Sequence, residues 1–307
     1  MISRLRELVA ERAAPFGVGP NELLARDLVS GLGKPGHISA NGTCRIIKAK
    51  DRWIALNLAR EDDLDVIPAL TGIDHGAWEA VVSTASAQEA ITFRDRAVEL
   101  QLPVAIVCEC VAGPLTSYNV SASPKKVVDM SALWAGPLCA ALLARMGADV
   151  WRINSVGRPD TTAYGSPRLD AWLNGEKTQI HMDLRVERAR TELFAMLEEA
   201  DIFVTSARPA ALARLGLEPG RFPNLTWVAI TSHGFSGSGA VRVGFGDDCA
   251  AAGGLVEWKG KVPKFFGDAL ADPLTGLEAA LAVLSGRSGL LDMAMSRVAA
   301  SYAAAIV

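Results

Sequence analysis

From Lys126 onward the sequence alternates strand-like runs with helix-like segments, and this alternation limits the fold more than any other feature. The strand-like runs are short and rich in apolar and β-branched residues; they read KVVDMS, DVWRIN, DIFVTS and LTWVAITS. The intervening segments carry apolar residues at helical spacing; they include PLCAALLARMGA and ARTELFAMLEEA. Such a pattern is typical of βαβ units and a parallel sheet. We therefore predict an α/β fold with a Rossmann-like domain over residues 126–307.

The preceding part of the chain follows a different pattern. The run CRIIKAKDRWIALNLA is apolar on both sides of the charged centre Lys48–Arg52 and predicts a β-hairpin, and LPVAIVCEC predicts a buried strand. Helical patterns start near Ile2, near Pro20 and in EDDLDVIPALTG, and Ser86 with Glu89 forms a capping box for another helix. These elements indicate a smaller α+β domain.

The segment VAGPLTSYNVSASPK is rich in Gly, Pro and Ser and lacks periodicity, which is typical of a connection. We predict the small domain over residues 1–112, a linker over 113–125 and the larger domain after it. A chain of 307 residues suits such a division, because single hydrophobic cores stop growing above roughly 250 residues.

Composition excludes several classes of protein. A net charge of -3 and a pI of about 5.9 leave no excess of positive charge for nucleic acid. Five scattered cysteines do not form a disulfide framework and favour a reducing compartment. Neither a signal-peptide core nor a run approaching about 18 apolar residues occurs. We expect a cytoplasmic protein that does not enter a membrane.

Two glycine-containing segments are candidate ligand sites. The turn Ala132–Pro137 follows the first strand of the larger domain, where open α/β sheets bind ligands. It does not match G-x-G-x-x-G, so a nicotinamide cofactor is not expected; a plain turn with Pro137 at the first helical position explains it equally well. The glycine-rich segment 234–254 lacks the lysine and serine of a phosphate-binding loop, so a surface loop is the simpler interpretation.

Asp272 precedes Pro273 and an apolar helical pattern, which predicts an N-cap followed by proline at the first helical position. That structural role explains the residue by itself. If the carboxylate instead faced a cleft, the positive helix end would favour its ionised form and suit a nucleophile.

The four histidines are dispersed, and no second cysteine pair accompanies Cys108 and Cys110, so we predict no metal site. The alternation of these two cysteines on a strand would place both thiols on one face.

Six collinear segments from Val127 onward resemble the large domain of the family III CoA-transferases, the CaiB–BaiF family. They are VVDMSALWAGPLCAALLARMGADVWRI, WLNGEKTQIHMDLR, EEADIFVTSARPAALARLGL, LTWVAITSHGFSG, ADPLTGLEAALAVL and GRSGLLDMAMSRVAA. The family includes formyl-CoA and carnitine CoA-transferases and alpha-methylacyl-CoA racemase. The resemblance implies coenzyme A or acyl-CoA as substrate and a carboxylic acid as acceptor.

The resemblance places the family's catalytic aspartate on Asp272, with Asp268 as the alternative register. In the transferases this carboxylate forms a mixed anhydride and then an aspartyl-CoA thioester. The family's CoA contacts fall on eight positions: Leu133, Trp134, Ala135, Met182, Arg185, Ser206, Ala207 and Arg214. Guanidinium groups match phosphate oxygens, although both arginines also read as ordinary exposed helix residues.

The chain departs from the family pattern at several positions. Asn154 replaces an acidic residue, and Ser206–Ala207 replaces an asparagine–phenylalanine pair. In GFGDD, Phe245 occupies the position where racemases carry a histidine, and a phenylalanine cannot exchange protons. Asp247 or Asp248 would supply the acid of that element. Acyl-CoA racemisation is therefore the alternative reaction.

The order of the domains also differs from the family's. Residues 38–72 resemble the family's small-domain core, which normally follows the large domain, so we expect a circularly permuted arrangement. Only Gly42 remains of the family's glycine loop, which leaves a catalytically inactive CoA-binding or assembly protein as a further alternative. The resemblance implies a homodimer, interlocked as in the family.

Overall fold

The computed structural model describes residues 1–24, 26, 31–121 and 126–307. Its helices are α1 Ile2–Ala13, α2 Pro20–Leu23, α3 Glu61–Asp65, α4 Ile67–Thr71, α5 Ala77–Ala87, α6 Ala90–Glu99, α7 Ala135–Arg145, α8 Thr162–Gly165, α9 Pro167–Asn174, α10 Glu187–Glu198, α11 Pro209–Arg214, α12 Gly246–Ala252, α13 Ala271–Leu284 and α14 Met295–Ala305. Its strands are β1 Cys44–Lys48, β2 Trp53–Asn57, β3 Val104–Ile106, β4 Lys126–Met130, β5 Asp149–Ser155, β6 Thr178–Met182, β7 Ile202–Thr205, β8 Thr226–Thr231, β9 Glu257–Lys259, β10 Val262–Lys264 and β11 Leu290–Ala294.

The larger sheet in the described part of the chain has six strands in the order β11-β8-β7-β4-β5-β6. Every neighbouring pair is parallel, which confirms the predicted α/β fold. The four residues of β7 are all buried, as expected for a strand covered on both faces. Strands β5 and β6 lie on one side of β4 in the sheet, and β7, β8 and β11 lie on its other side. The strand order therefore reverses between β4 and β7.

The three-stranded sheet has the order β1-β2-β3 and is antiparallel. The predicted hairpin is confirmed, with Lys48 opposite Trp53 at its closed end. Strands β9 and β10 form a separate antiparallel pair.

Helix α1 packs against helices that flank the six-stranded sheet. Leu5 and Val9 of α1 are fully buried and share a hydrophobic cluster with Leu138 of α7 and Leu277 of α13. Arg12 contacts the carboxylate of Glu278, which extends this contact with an ion pair. The domain boundaries at residues 112 and 126 stay a prediction, and much of the helical pattern expected after Pro20 lies outside the described residues.

The predicted capping box at Ser86 is wrong. Helix α5 continues through Ala87, and the Ser86 hydroxyl donates to the Ser83 carbonyl inside its last turn. Helix α6 starts at Ala90, whose N–H donates to Asp51 at 2.8 Å. The cap is therefore supplied by the turn of the hairpin, which local spacing does not reveal.

The prediction for Cys108 and Cys110 is also wrong. Strand β3 ends at Ile106, and Cys108 is exposed with a φ of 61°. The backbone N–H groups of the two cysteines donate to Ala251 and Ala252 at the end of α12, at 2.9 and 3.0 Å. The chain leaves the sheet to make these contacts, so the strand alternation does not apply.

No helix in the described portion of the chain is both long and apolar enough to cross a membrane.

Candidate functional site

The candidate site lies at the carboxyl edge of the parallel sheet, where the strand order reverses. The turn after β4 and the segment after β7 meet there, because the Ala132 N–H donates to the Ser206 hydroxyl at 2.9 Å. Open α/β sheets bind ligands in the crevice at such a point. The structure therefore brings together two of the segments that the family resemblance assigned to CoA, Leu133–Ala135 and Ser206–Ala207.

The turn itself has an unusual backbone. Leu133 has a φ of 68°, Trp134 occupies the N-cap and α7 begins at Ala135. Pro137 is thus the third helical residue rather than the first. A Cβ on Gly136 would lie 2.3 Å from the Ser131 Cβ, so only glycine fits this close turn.

A buried ion network supports this turn from below. The Asp129 carboxylate accepts from the Lys177 ammonium at 2.7 Å and from the Arg152 guanidinium at 3.3 Å. Arg152 also contacts Asp160 at 2.7 Å, and Asp160 accepts from the Leu133 N–H at 3.0 Å. Burial opposes ionisation of Asp129, but the two cations outweigh it and lower the pKa of this carboxyl. The network fixes the turn through one chain of contacts.

Asp272 is the second residue of α13, so it is not the predicted N-cap. Its carboxylate instead lies against Gly246, and the backbones of Gly246 and Ala135 favour the ionised form and so act to lower its pKa. Burial is the main cause that raises the pKa of Asp272 to about 7; Arg26 opposes the shift and Asp268 adds to it. Burial thus outweighs the helix end, which would favour the ionised form of a carboxylate facing a cleft.

Gly246 permits this arrangement by its lack of a side chain. A Cβ at this position would lie 2.2 Å from Asp272 Oδ2 and 2.5 Å from the Ala269 carbonyl. Any other residue would displace either the carboxylate or the backbone beside it. The sequence GFGDD therefore places its second glycine against the start of α13.

Asp268 is bound by a residue that the sequence did not single out. Both carboxylate oxygens accept from the Arg26 guanidinium, each at 2.6 Å. The guanidinium carbon also lies 5.2 Å from the centre of the Trp134 ring. Asp268 is fully paired in this bidentate contact, whereas Asp272 lies against the Gly246 backbone.

The two loop acids face different neighbours. Asp247 accepts from the Ala269 N–H at 2.8 Å, and burial followed by the charge of Asp268 raises its pKa to about 8. Asp248 accepts from the Phe245 N–H at 2.9 Å and from the Asn57 amide at 3.2 Å. Burial raises the pKa of Asp248 to about 7. Asp247 thus borders the start of α13, and Asp248 contacts the three-stranded sheet.

The other predicted CoA contacts are Met182, Arg185 and Arg214, with Ala207 beside Ser206. Met182 ends β6 and is buried, and Arg185 after it is exposed and paired with Asp183 at 2.8 Å. Strand β6 is two positions from β4 in the sheet, about 10 Å away at ordinary strand spacing. Ala207 packs partly buried behind β7, and Arg214 is exposed at the last turn of α11.

Sequence reasoning missed the residues that support the site. Lys177, Arg152 and Arg26 hold Asp129 or Asp268, yet each lies far along the chain from its partner. Asn154, a departure from the family pattern, donates to Gln179 at 2.9 Å on the neighbouring strand. The only available signal was chemical: a lysine or arginine beside a strand requires a partner if it is buried.

The structure is that of an α/β protein with carboxylates near the point where the strand order of its parallel sheet reverses. Residues 123–288, more than half of the chain, match the model of CoA-transferase family III. The chain belongs to that family.

Curated relatives carry related names. The chain is 29% identical over 189 residues to the "Probable fatty acyl-CoA transferase Rv3272" of Mycobacterium tuberculosis. This match covers 55% of this chain and 48% of the relative. It is 28% identical over 199 residues to the "Succinate--glutarate CoA-transferase" of Agrobacterium fabrum, and the match covers 55% of this chain and 50% of the relative. The chain spans about half the length of these relatives.

A solved structure shows a similar fold. A CAIB/BAIF family protein from Brucella suis is 26% identical with a TM-score of 0.51, and the match covers 60% of this chain and 55% of that one.

Proposed function

We propose that this protein transfers CoA between an acyl-CoA thioester and a carboxylic acid, with Asp272 as the nucleophile. One observation carries the proposal: the helix that carries Asp272 packs against the turn that the family resemblance assigns to CoA, where a Cβ on Gly276 would lie 2.6 Å from the Ala135 carbonyl oxygen, and the Ala135 backbone acts on the pKa of the Asp272 carboxylate. This contact puts a carboxylate beside the switch point of the sheet, where a bound thioester would lie. Membership of CoA-transferase family III supports the substrate class.

The reaction follows from the chemistry of a carboxylate nucleophile. An Asp272 oxygen attacks the thioester carbonyl carbon, the C–S bond breaks with its electron pair on sulfur, and CoA thiolate and a mixed anhydride result. The thiolate then attacks the aspartyl carbonyl and releases the donor acid. The acceptor carboxylate displaces CoA from this aspartyl thioester, and the thiolate finally attacks the acceptor's acyl carbon and regenerates Asp272.

The protonation state of Asp272 controls the first step. Only the ionised carboxylate attacks, and a pKa of about 7 means that deprotonation occurs near neutral pH. We therefore expect kcat/KM in the free enzyme to rise with pH through this region. The close approach of Gly246 to Asp272 Oδ2 restricts the position of the carboxylate while it reacts.

The CoA phosphates require cationic partners, and the proposal assigns them to Arg185 and Arg214. Calorimetry with free CoA tests this assignment: Arg185→Ala and Arg214→Ala are expected to weaken binding about tenfold each. Arg188→Ala is the matched control, because Arg188 is equally exposed on α10 and pairs with Glu192. Unchanged CoA binding in both variants would remove these residues from the site.

The names of the relatives suggest the first substrates to try. Succinyl-CoA with glutarate and a fatty acyl-CoA with succinate are suitable pairs, because the relatives are named for succinate, glutarate and fatty acyl groups. Covalent transfer predicts ping-pong kinetics, with parallel double-reciprocal lines as the acceptor varies. Intersecting lines would instead mean that both substrates bind before any bond changes, which contradicts the aspartyl intermediate.

The proposed active form is a cytoplasmic homodimer, as the family resemblance implies. Light scattering on the purified protein measures its mass directly. A monomeric mass together with full transfer activity would contradict the homodimer as the active form.

A further inference from the structure

Three side chains with metal-binding atoms meet between the end of β8 and the start of α12. They are His233, Asp248 and Cys249, and their ligand atoms all lie within 4.8 Å of one another. His233 comes from the loop after β8, whereas the other two belong to the first turn of α12. This cluster takes no part in the proposed transfer reaction.

His233 is the unusual member of the cluster. Both of its ring nitrogens are buried, and neither has a hydrogen-bond partner among the described residues. Such a group is costly, because buried polar atoms almost always have a partner. Since neither ring nitrogen makes a hydrogen bond, a ring nitrogen lone pair is available to a bound ion. A neutral imidazole with a free nitrogen is the form that binds metals.

Asp248 is held as a metal-binding carboxylate usually is. Its Oδ1 accepts from the Phe245 N–H at 2.9 Å and from the Asn57 amide at 3.2 Å. These donors orient the group, while Oδ2 faces the Cys249 sulfur at 3.9 Å. Outer hydrogen bonds of this kind fix the direction of a ligating carboxylate.

Cys249 completes the set with a fully buried thiol. Its Sγ lies 3.6 Å from the Ser232 carbonyl oxygen as well as beside Asp248. Sulfur, nitrogen and oxygen donors together suit zinc, which binds thiolate, imidazole and carboxylate in tetrahedral geometry. We propose that His233, Asp248 and Cys249 bind a zinc ion.

The charges in this region balance when the ion is bound. One carboxylate and one thiolate neutralise a divalent cation, and the thiol proton leaves to solvent on binding. Arg242 lies nearby, but its guanidinium contacts Glu109 at 2.6 Å, and Arg94 contacts the same carboxylate at 2.9 Å. Bonds of about 2.0 to 2.3 Å require the ligand atoms to approach within about 4 Å, a small side-chain movement from their present separation.

Cobalt titration of the metal-stripped full chain tests the site independently of enzyme activity. Cobalt replaces zinc in such sites, and a thiolate ligand gives a charge-transfer absorption in the near ultraviolet. We expect one cobalt per chain with this absorption, and displacement of the cobalt by zinc. Cys249→Ser is expected to abolish the charge-transfer absorption, and His233→Ala to weaken cobalt affinity about 10- to 100-fold.

Cys108→Ser is the matched control, because Cys108 is the exposed thiol that would bind cobalt adventitiously. The variant should bind as the wild type does. If His233→Ala does not fold, His233→Gln provides the same test with a side chain of similar size. The proposal is contradicted if folded wild-type protein shows no charge-transfer absorption, if the absorption survives in Cys249→Ser, or if Cys108→Ser removes it.

Discussion

The two sheets of this protein place their polar groups differently. In the six-stranded region, charged side chains are buried against one another at the strand ends, as Asp129 and Lys177 are. The three-stranded region instead encloses an apolar cluster that includes Ile54 and Phe93. Its buried amide Asn57 contacts the other region, at Asp248. The comparison teaches that the acids of the candidate site lie beside the parallel sheet, while the small sheet contributes a hydrogen bond to one of them, Asp248.

The largest expected effect concerns catalysis in the six-stranded region. Asp272→Asn is expected to lower kcat by about a thousandfold or more, because it removes the attacking group. The measurement is transfer of CoA between an acyl donor and an acceptor acid. Asp62→Asn, an exposed carboxylate of α3 in the three-stranded region, should leave kcat within about twofold. Equal losses in both variants would contradict the assignment of catalysis to one region.

The second effect concerns stability and contrasts a buried ion pair with an exposed one. Lys177→Met is expected to reduce the free energy of unfolding by about 3 to 5 kcal/mol, because Asp129 keeps a buried charge without its nearest cation. Lys50→Met, which removes the exposed pair with Glu89, should cost no more than about 1 kcal/mol. Urea unfolding measures both. Similar losses at the two sites would show that burial does not distinguish the regions.

A smaller effect is expected where the two regions meet. Asn57→Ala removes the amide that donates to Asp248, and the lost hydrogen bond should cost about 1 to 3 kcal/mol in unfolding free energy. Asn154→Ala breaks an amide contact on the larger sheet that is more exposed, and about 0.5 kcal/mol is expected there. If Asn57→Ala unfolds like the wild type in urea, the bridge between the regions does not stabilise the fold.

The smallest effect is a dependence of stability on pH. The folded state binds a proton on Asp272 up to about pH 7, whereas the unfolded chain releases it near its ordinary pKa of 3.8. Stability from this group therefore falls as the pH rises between these two values. Asp272→Asn removes the cost, so its advantage over the wild type should be about 1 kcal/mol greater at about pH 8 than at about pH 6. Parallel curves for the two proteins would contradict the raised pKa.

Sequence patterns predicted those parts of the fold that depend on nearby residues. The hairpin centred on Lys48–Arg52 and the parallel sheet after Lys126 were both predicted, because β-branched runs and amphipathic segments carry local periodicity. The predicted start of α6 was wrong because the N–H at the start of this helix donates to Asp51, which lies outside the local sequence pattern. Periodicity predicts the elements, and tertiary contacts determine where they begin.

The candidate site shows the same division. Asp272 and the turn at Leu133–Ala135 were singled out from the sequence by family resemblance, but the packing of the Asp272 helix on that turn was not predictable from spacing. The convergence of His233 on Asp248 was missed because one side chain comes from a loop and the other from a helix. The raised pKa of Asp272 was not predictable, since a sequence does not reveal how deeply a carboxylate is buried.

The most direct test of the central claim is to trap the covalent intermediate. The protein is incubated with an acyl-CoA that supports turnover and no acceptor acid, quenched in acid and digested, and its peptides are measured by mass spectrometry. The account predicts CoA attached as a thioester to the peptide that contains Asp272, and no such adduct in Asp272→Asn. Attachment to a different residue, or full turnover by Asp272→Asn, would contradict it.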